Sequence, residues 1–349
     1  MCKITIFLAQ FAIKYVILYQ IFKHMDFLQQ IKSPIQAELE DFNALFKQSL
    51  EFDEGLLSLA LKQVREGQGK RMRPILLLLI AKNFGKVTDV TLRAAVSLEL
   101  LHTASLVHDD VVDESNERRG KPSMNAAYGN KVAVLVGDYI LSTALQRAAL
   151  SGSYTVVNHL AELGKMLSDG EIRQLNSIKE TSFSEENYFD VIGKKTASLF
   201  EKCALLGAET VGATDEQIKA AREFGYNIGI IFQIRDDIFD YFKSEKIGKP
   251  TGNDMREGKL TLPVIYALKS KQDEAANMLA SKVKKGSVTE DEIAQLVEFT
   301  KVNGGIDYAE KTMLNYYSKA CNFVDKFVKN AEIKQSLQTF LDFMIKRNY

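Results

Sequence analysis

Leu101-His102-Thr103-Ala104-Ser105-Leu106-Val107-His108-Asp109-Asp110-Val111-Val112-Asp113 is mostly apolar, yet it ends in an Asp-Asp-x-x-Asp run. Its apolar residues recur at spacings of three and four, the period of a helix. On that helix His102, Ser105, Asp109 and Asp113 fall on one stripe. Phe232-Gln233-Ile234-Arg235-Asp236-Asp237-Ile238-Phe239-Asp240 repeats the arrangement, with Gln233, Asp236, Asp237 and Asp240 aligned. Acidic groups one turn apart repel each other, and a divalent cation offsets that repulsion. A polar stripe on an apolar helix is expensive to bury unless it lines a cavity holding water, metal and ligand. The alternative, two solvated acidic helix ends, fits poorly with flanks this apolar.

Outward from these runs the chain keeps the helical period. It has only five prolines, and strand-like alternation is hard to find. Helices are expected over residues 34–46, 75–84, 91–112, 131–150, 260–270, 290–302, 305–328 and 331–345. Another starts at the capping box of Thr214 and Gln217 and runs to about residue 242. Glycine-rich and charged breaks at 66–70, 114–122 and 243–258 read as loops of one domain spanning 25–349. The expected fold is all-α, a large single-domain helical bundle.

Bulk composition narrows the chemistry. The 349 residues are 46% hydrophobic, with 45 basic and 45 acidic side chains, so net charge is zero and nucleic acid is not expected as a partner. Three cysteines, none in a CxxC, suit neither a disulfide framework nor a zinc ribbon and point to a cytoplasmic setting. Only four histidines are present, so any metal is a hard cation held by carboxylates, and Mg²⁺ fits best. Residues 4–22 are strongly apolar but carry Lys14 in the middle, which is costly for a membrane span. We read residues 1–24 as an upstream start-site extension ahead of Met25, in preference to a membrane anchor.

Basic groups stand near both acidic runs. Lys70, Arg71 and Arg73 precede a helix, Arg118, Arg119 and Lys121 follow the first run, and Lys249 and Lys259 follow the second. Lys194 and Lys195 precede Thr196. Lysine supplies a point charge and arginine a fork for phosphate oxygens. Each cluster alone reads as solvated loop charge. Their alternation with carboxylates is what a metal–diphosphate complex would require.

These segments resemble the trans-isoprenyl diphosphate synthases, and among them the long-chain all-trans polyprenyl synthases. The carrying motifs are Gly69-Lys70-Arg71-Met72-Arg73-Pro74, Leu101 to Asp110 through Arg118-Arg119-Gly120-Lys121-Pro122, Lys195-Thr196, and Phe232 to Asp237 through Gly258-Lys259-Leu260-Thr261-Leu262-Pro263. The resemblance implies an isoprenoid synthase-type helical bundle around a deep central cavity, assembled as a homodimer. It implies that Asp109, Asp113 and Asp236 bind Mg²⁺, supported by Asp110, Asp237 and Asp240. Arg118, Lys195, Lys249 and Lys259 would hold an allylic diphosphate (farnesyl or geranylgeranyl diphosphate). Lys70, Arg73, His102 and Arg119 would hold isopentenyl diphosphate, with Thr196 and Gln233 at the reacting centre. Membrane contact would be at most peripheral, through the product.

Product length should follow the depth of the apolar tunnel below Asp109. Ala104 and Ser105, one turn beneath it, are small, whereas short-chain members of the family often place a bulky aromatic there. Each further buried methylene is worth about 0.8 kcal/mol, so a growing chain can draw itself deeper. Tyr139 and Leu141 are candidates for the tunnel floor, though both also suit an ordinary core. The expectation is a product of thirty to fifty carbons for quinone side chains, with geranylgeranyl diphosphate as the alternative. A terpene cyclase would replace the second aspartate run with an Asn/Ser/Glu motif. A non-catalytic subunit of a synthase heteromer would have lost an aspartate run or the basic residues, and none is missing.

Overall fold

The computed structural model describes residues 27–67, 69–179, 184–242 and 251–346, so residues 1–24 and Lys249 lie outside the described residues. A 3-10 turn, Ser33–Ile35, takes Pro34 and leads into α1 (Gln36–Ser49), where one continuous helix was expected. There follow α2 (Gly55–Arg65), α3 (Met72–Phe84) and α4 (Asp89–Val112). Next come a two-residue hairpin, β1 (Glu117–Arg118) and β2 (Lys121–Pro122), then α5 (Met124–Tyr128), α6 (Asn130–Ala149) and α7 (Tyr154–Lys179). α8 (Glu185–Ile192) passes through a π-helical turn, Gly193–Ala197, into α9 (Ser198–Glu209). The chain closes with α10 (Asp215–Phe239), α11 (Asn253–Arg256), α12 (Leu262–Lys271), α13 (Glu274–Lys284), α14 (Glu290–Val302), α15 (Gly305–Phe327) and α16 (Ala331–Lys346).

The all-α expectation is met. α3 is apolar on every side, and every residue from Pro74 to Ala81 is buried, as a central core helix requires. α4 is long and apolar enough to cross a membrane by composition, but 61% of its apolar window is buried inside the protein, which makes it a core helix. α4 runs alongside α6, while α9 lies between α3 and α10, and α15 covers α10. A second, smaller core forms where α12, α13 and α14 meet Tyr241 and Met255.

Among the described residues three helix starts carry reciprocal capping boxes, the third being Thr289 with Glu292 at the start of α14. Thr88 with Thr91 opens α4, and Thr214 with Gln217 opens α10, each with both reciprocal bonds. α10 ends at Phe239 rather than near residue 242, because the chain folds back so that Gly252 N–H bonds Asp240 O at 2.8 Å. Two close approaches set the spacing of the site helices. A Cβ on Gly229 would stand 2.4 Å from Ala197 Cα, so α10 reaches the π turn only with glycine there. A Cβ on Gly137 would stand 2.2 Å from His108 Nε2, so α6 seats the His108 ring of α4 in the notch that glycine leaves.

Candidate active site

The first acidic run ends α4. Asp109 is partly buried, and that burial pushes its carboxyl up to about 6; Lys195 pulls the other way, while Glu171 and Asp113 add to the rise. Asp110 is turned away and 2% exposed. Both of its oxygens accept from Arg118 Nε, at 2.8 and 2.9 Å, and Arg118 Nη2 adds a contact of 2.6 Å. This bidentate pair fixes the β1–β2 turn. Within that turn Arg119 (φ +55°) and Gly120 (φ +75°) both occupy the left-handed region, which a tight hairpin of this kind demands. Arginine there is strained, and such strain collects at functional sites. Gly69 makes room for its side chain, since a Cβ on Gly69 would stand 2.8 Å from Arg119 Nη1.

Arg119 thereby joins a basic group gathered around Arg73. Arg73 is enclosed, its guanidinium lying 4.8 Å over Phe200 and 5.8 Å over Phe232. Burial lowers its pKa while Glu99 and, more weakly, Asp236 raise it. Among the described residues Arg73 Nε finds no hydrogen-bond partner. His102 is driven well below its ordinary value by burial, then by Arg73, Arg119, Arg118 and Arg71, so its ring is neutral. Lys70 lies 5.2 Å over the Phe343 ring of α16. Arg71 is taken out of the group: it pairs with Glu99 at 2.7 Å and stacks over Phe46. The buried Glu99 carboxylate is the counter-anion of this cluster. Cations gathered around a guanidinium whose Nε lacks a protein partner among the described residues are chemically suited to an anion.

The opposite wall is built by α7, α8 and the π turn. Such turns concentrate at functional sites because the widened backbone re-aims side chains. Lys195 Nζ bonds Glu171 Oε2 at 2.5 Å and Gln174 Oε1 at 3.2 Å, both on α7. Thr196 Oγ1 donates to Gln233 Oε1 at 2.8 Å, and Gln233 Nε2 donates to Asp237 Oδ1 at 2.8 Å. Tyr188 of α8 donates to Asp237 Oδ2 at 2.5 Å. Asp237 is 2% exposed, and burial pushes it up to about 7, although the Tyr188 and Gln233 bonds pull it down.

Asp240 is spent on the backbone, accepting from Asn253 N–H at 2.9 Å and Asp254 N–H at 3.1 Å to hold the start of α11. Burial raises Asp240 nonetheless, and raises Asp254 well above its ordinary value together with Asp237 and Asp240. Burial acts to lower Lys259, but its bond to Glu257, then the Glu257, Asp113 and Asp254 charges, more than offset this, and it is raised.

A cavity of about 280 Å³ opens on this wall, lined by Lys195, Thr196, Gln233, Asp237 and Lys259 among others. Asp109 does not line it but feels the charge of Lys195, and Lys259 feels the charge of Asp113. Sequence reading did not single out four further lining residues: Gln174, Tyr188, Asp254 and Lys284, the last donating to Ser177 O at 2.9 Å. The tunnel candidates lie elsewhere. Ala104 is buried in the main core, and Ser105 turns its hydroxyl back to His102 O. Tyr139 packs edge-on against Phe52, and Leu141 is partly buried against the core.

The match to known proteins agrees with this geometry. Residues 54–300 match the family described as polyprenyl synthetase. The chain belongs to that family. As a polyprenyl synthetase family member it is a prenyltransferase. It is 33% identical over 328 residues to octaprenyl diphosphate synthase of Haemophilus influenzae, covering 93% of this chain and 98% of that one. Among solved structures, geranylgeranyl pyrophosphate synthase from Bacteroides thetaiotaomicron is 49% identical, with a TM-score of 0.81 over 92% of this chain and all of that one. A polyprenyl synthase from Caulobacter crescentus, complexed with calcium and isoprenyl diphosphate, is 29% identical, with a TM-score of 0.84 over 92% and 98% of the two chains.

Among the described residues no three carboxylate, imidazole or thiol side chains converge closely enough to hold a metal by protein atoms alone. A hard divalent cation there would be completed by waters and substrate phosphates around one or two carboxylates. Asp109, held half-protonated near pH 6 by burial and by Asp113, is a carboxylate whose charge a cation would relieve.

Proposed function

We propose that the chain is a magnesium-dependent long-chain all-trans polyprenyl diphosphate synthase, condensing isopentenyl diphosphate with a farnesyl or geranylgeranyl diphosphate primer. The observation that carries this reading is the cavity wall on which Lys195, Thr196, Gln233, Asp237 and Lys259 meet. Asp109, Asp113 and Asp236 would hold the Mg²⁺, and Asp110, Asp237 and Asp240 support them from behind. The metal would neutralise the departing diphosphate as its C–O bond breaks.

The remaining work falls to the chain's own groups. Lys195 and Lys259, joined by Lys249, grip the allylic diphosphate, and Arg118 orders the turn beside it. Lys70, Arg73, Arg119 and neutral His102 bind the isopentenyl diphosphate headgroup. The oxygens of Thr196 and Gln233 face the carbon that becomes positive. The double bond of isopentenyl diphosphate attacks that carbon, and the proton lost afterwards passes to the released diphosphate. Apolar walls keep water from quenching the cation.

Long chains are favoured because Ala104 and Ser105 place no bulk below Asp109. The octaprenyl relative fits that length, whereas the 49% identical geranylgeranyl structure supports the shorter product. Purified protein incubated with isopentenyl diphosphate, farnesyl diphosphate and Mg²⁺ should release products of thirty to fifty carbons, read by chromatography. A twenty-carbon end point would establish the shorter reading, and no elongation would refute both. Asp109→Ala or Asp236→Ala should lower turnover by orders of magnitude. We further propose a cytoplasmic homodimer. Leu135 (67% exposed) and Leu145 (47%) on α6 offer an apolar face for a second copy, and light scattering reads the mass.

A further inference from the structure

Asp237 has both carboxylate oxygens engaged, one by Gln233 Nε2 and one by the Tyr188 hydroxyl. In both bonds the Asp237 oxygen is the acceptor. Gln233 must therefore turn its NH₂ group toward Asp237, which leaves its carbonyl oxygen toward Thr196. Thr196 in turn must spend its single O–H proton on that oxygen. Every donor in the series Tyr188, Asp237, Gln233, Thr196 is thus specified, and all four residues line the cavity. With Gln233 flipped, a carbonyl oxygen would face a carboxylate and N–H protons would face the cavity.

We propose that Tyr188 is a positioning residue for prenyl transfer: it locks Asp237, which orients the Gln233 amide, so that Gln233 and Thr196 present oxygen lone pairs to the reacting carbon. The inference rests on the reaction proposed above for its chemical meaning, and on the hydrogen bonds alone for its geometry. Tyr188 is well placed for this. It comes from α8, 49 residues from Asp237, and its ring is held edge-on by Phe189. Burial and the Asp237 charge hold its phenol well above its ordinary value, so it stays a donor. Positive charge developing at an allylic carbon is stabilised by fixed lone pairs and opposed by N–H protons. Misorienting a group at a reacting centre costs about 10- to 100-fold in rate.

The test is a double-mutant cycle of Tyr188→Phe and Gln233→Leu. Tyr188→Phe removes only the hydroxyl. It should lower kcat about 10- to 100-fold while both KM values move less than twofold. Added to Gln233→Leu it should lower kcat less than twofold further. Independent effects that multiply, or a Tyr188→Phe enzyme within twofold of wild type, would overturn the proposal. Urea unfolding of the same four proteins reads the geometry without activity. The unfolding constants should be non-additive by at least about threefold, because both residues act through Asp237. Additive unfolding would overturn the proposal even if the protein transferred no prenyl group, whereas absent transfer with coupled unfolding would remove only the reaction.

Discussion

Replacing Asp109 with Asn should make the free protein more stable and the enzyme inactive. Burial raises the Asp109 carboxyl from 3.8 to about 6, with Lys195 opposing and Glu171 and Asp113 adding to it. Folding therefore favours the protonated form. That contribution is fully present below pH 4 and is lost as pH rises through 6, so at neutral pH the charged carboxylate destabilises the fold. The rise corresponds to about 3 kcal/mol at 1.36 kcal/mol per tenfold. Because the group is partly exposed, solvent screening reduces this to about 1–2 kcal/mol. Urea unfolding without divalent cations should show Asp109→Asn more stable by that amount at pH 7.5, with the gap closing toward pH 4. Adding Mg²⁺ with inorganic diphosphate should stabilise the wild type by mass action and leave the variant largely unmoved. Turnover of the wild type should likewise fall as pH drops through about 6, because the proton competes with the metal for Asp109. A gap that does not change with pH would show that burial of this charge is not the cause. Equal stabilisation of both proteins by Mg²⁺ and diphosphate would show that Asp109 does not hold the metal.

Three other outcomes follow from the geometry. Ala104→Phe or Ser105→Phe should shorten the product, read by chromatography; unchanged lengths would place the tunnel elsewhere. Arg118→Met strands Asp110, whose side chain is 3% exposed, and should cost about 3 kcal/mol in urea unfolding, with Asp110→Asn in the same chain recovering part of it. Gly137→Ala drives a methyl into the His108 ring and should cost about 1–3 kcal/mol. Adding His108→Ala should relieve that loss, and a loss that persists would locate the strain in the helix backbone.

The fold was legible because its core helices carry local signals. α3, α4 and α10 are apolar over long runs, and Thr214 with Gln217 spells out a capping box that the structure completes. α7 carries no such signal. Asp169, Glu171 and Arg173 on sequence alone read as solvated charge, and only the position of Lys195 reveals that Glu171 faces inward. The tiny hairpin was missed for another reason: with no alternating strand around it, its turn is shaped by the Arg118–Asp110 pair rather than by β propensity.

For the site, residue type was legible and division of labour was not. The spacing of each Asp-Asp-x-x-Asp run makes its members look equivalent, since all stand on one helix end. Tertiary partners then separate them. Asp110 is claimed by Arg118, Asp237 by Tyr188 and Gln233, and Asp240 by the amides of Asn253 and Asp254. A carboxylate with both oxygens engaged by protein donors is fixed in orientation and has fewer lone pairs to offer a cation. On the proposed reading Asp109, Asp113 and Asp236 would hold the metal, while Asp110, Asp237 and Asp240 hold the walls in register. The partners that make this division come from residues 8, 49, 4, 13 and 14 positions away. Only the Gln233 contact, at helical spacing, could be read along the chain; the rest exist because the fold brings α8, the hairpin and α11 against α4 and α10.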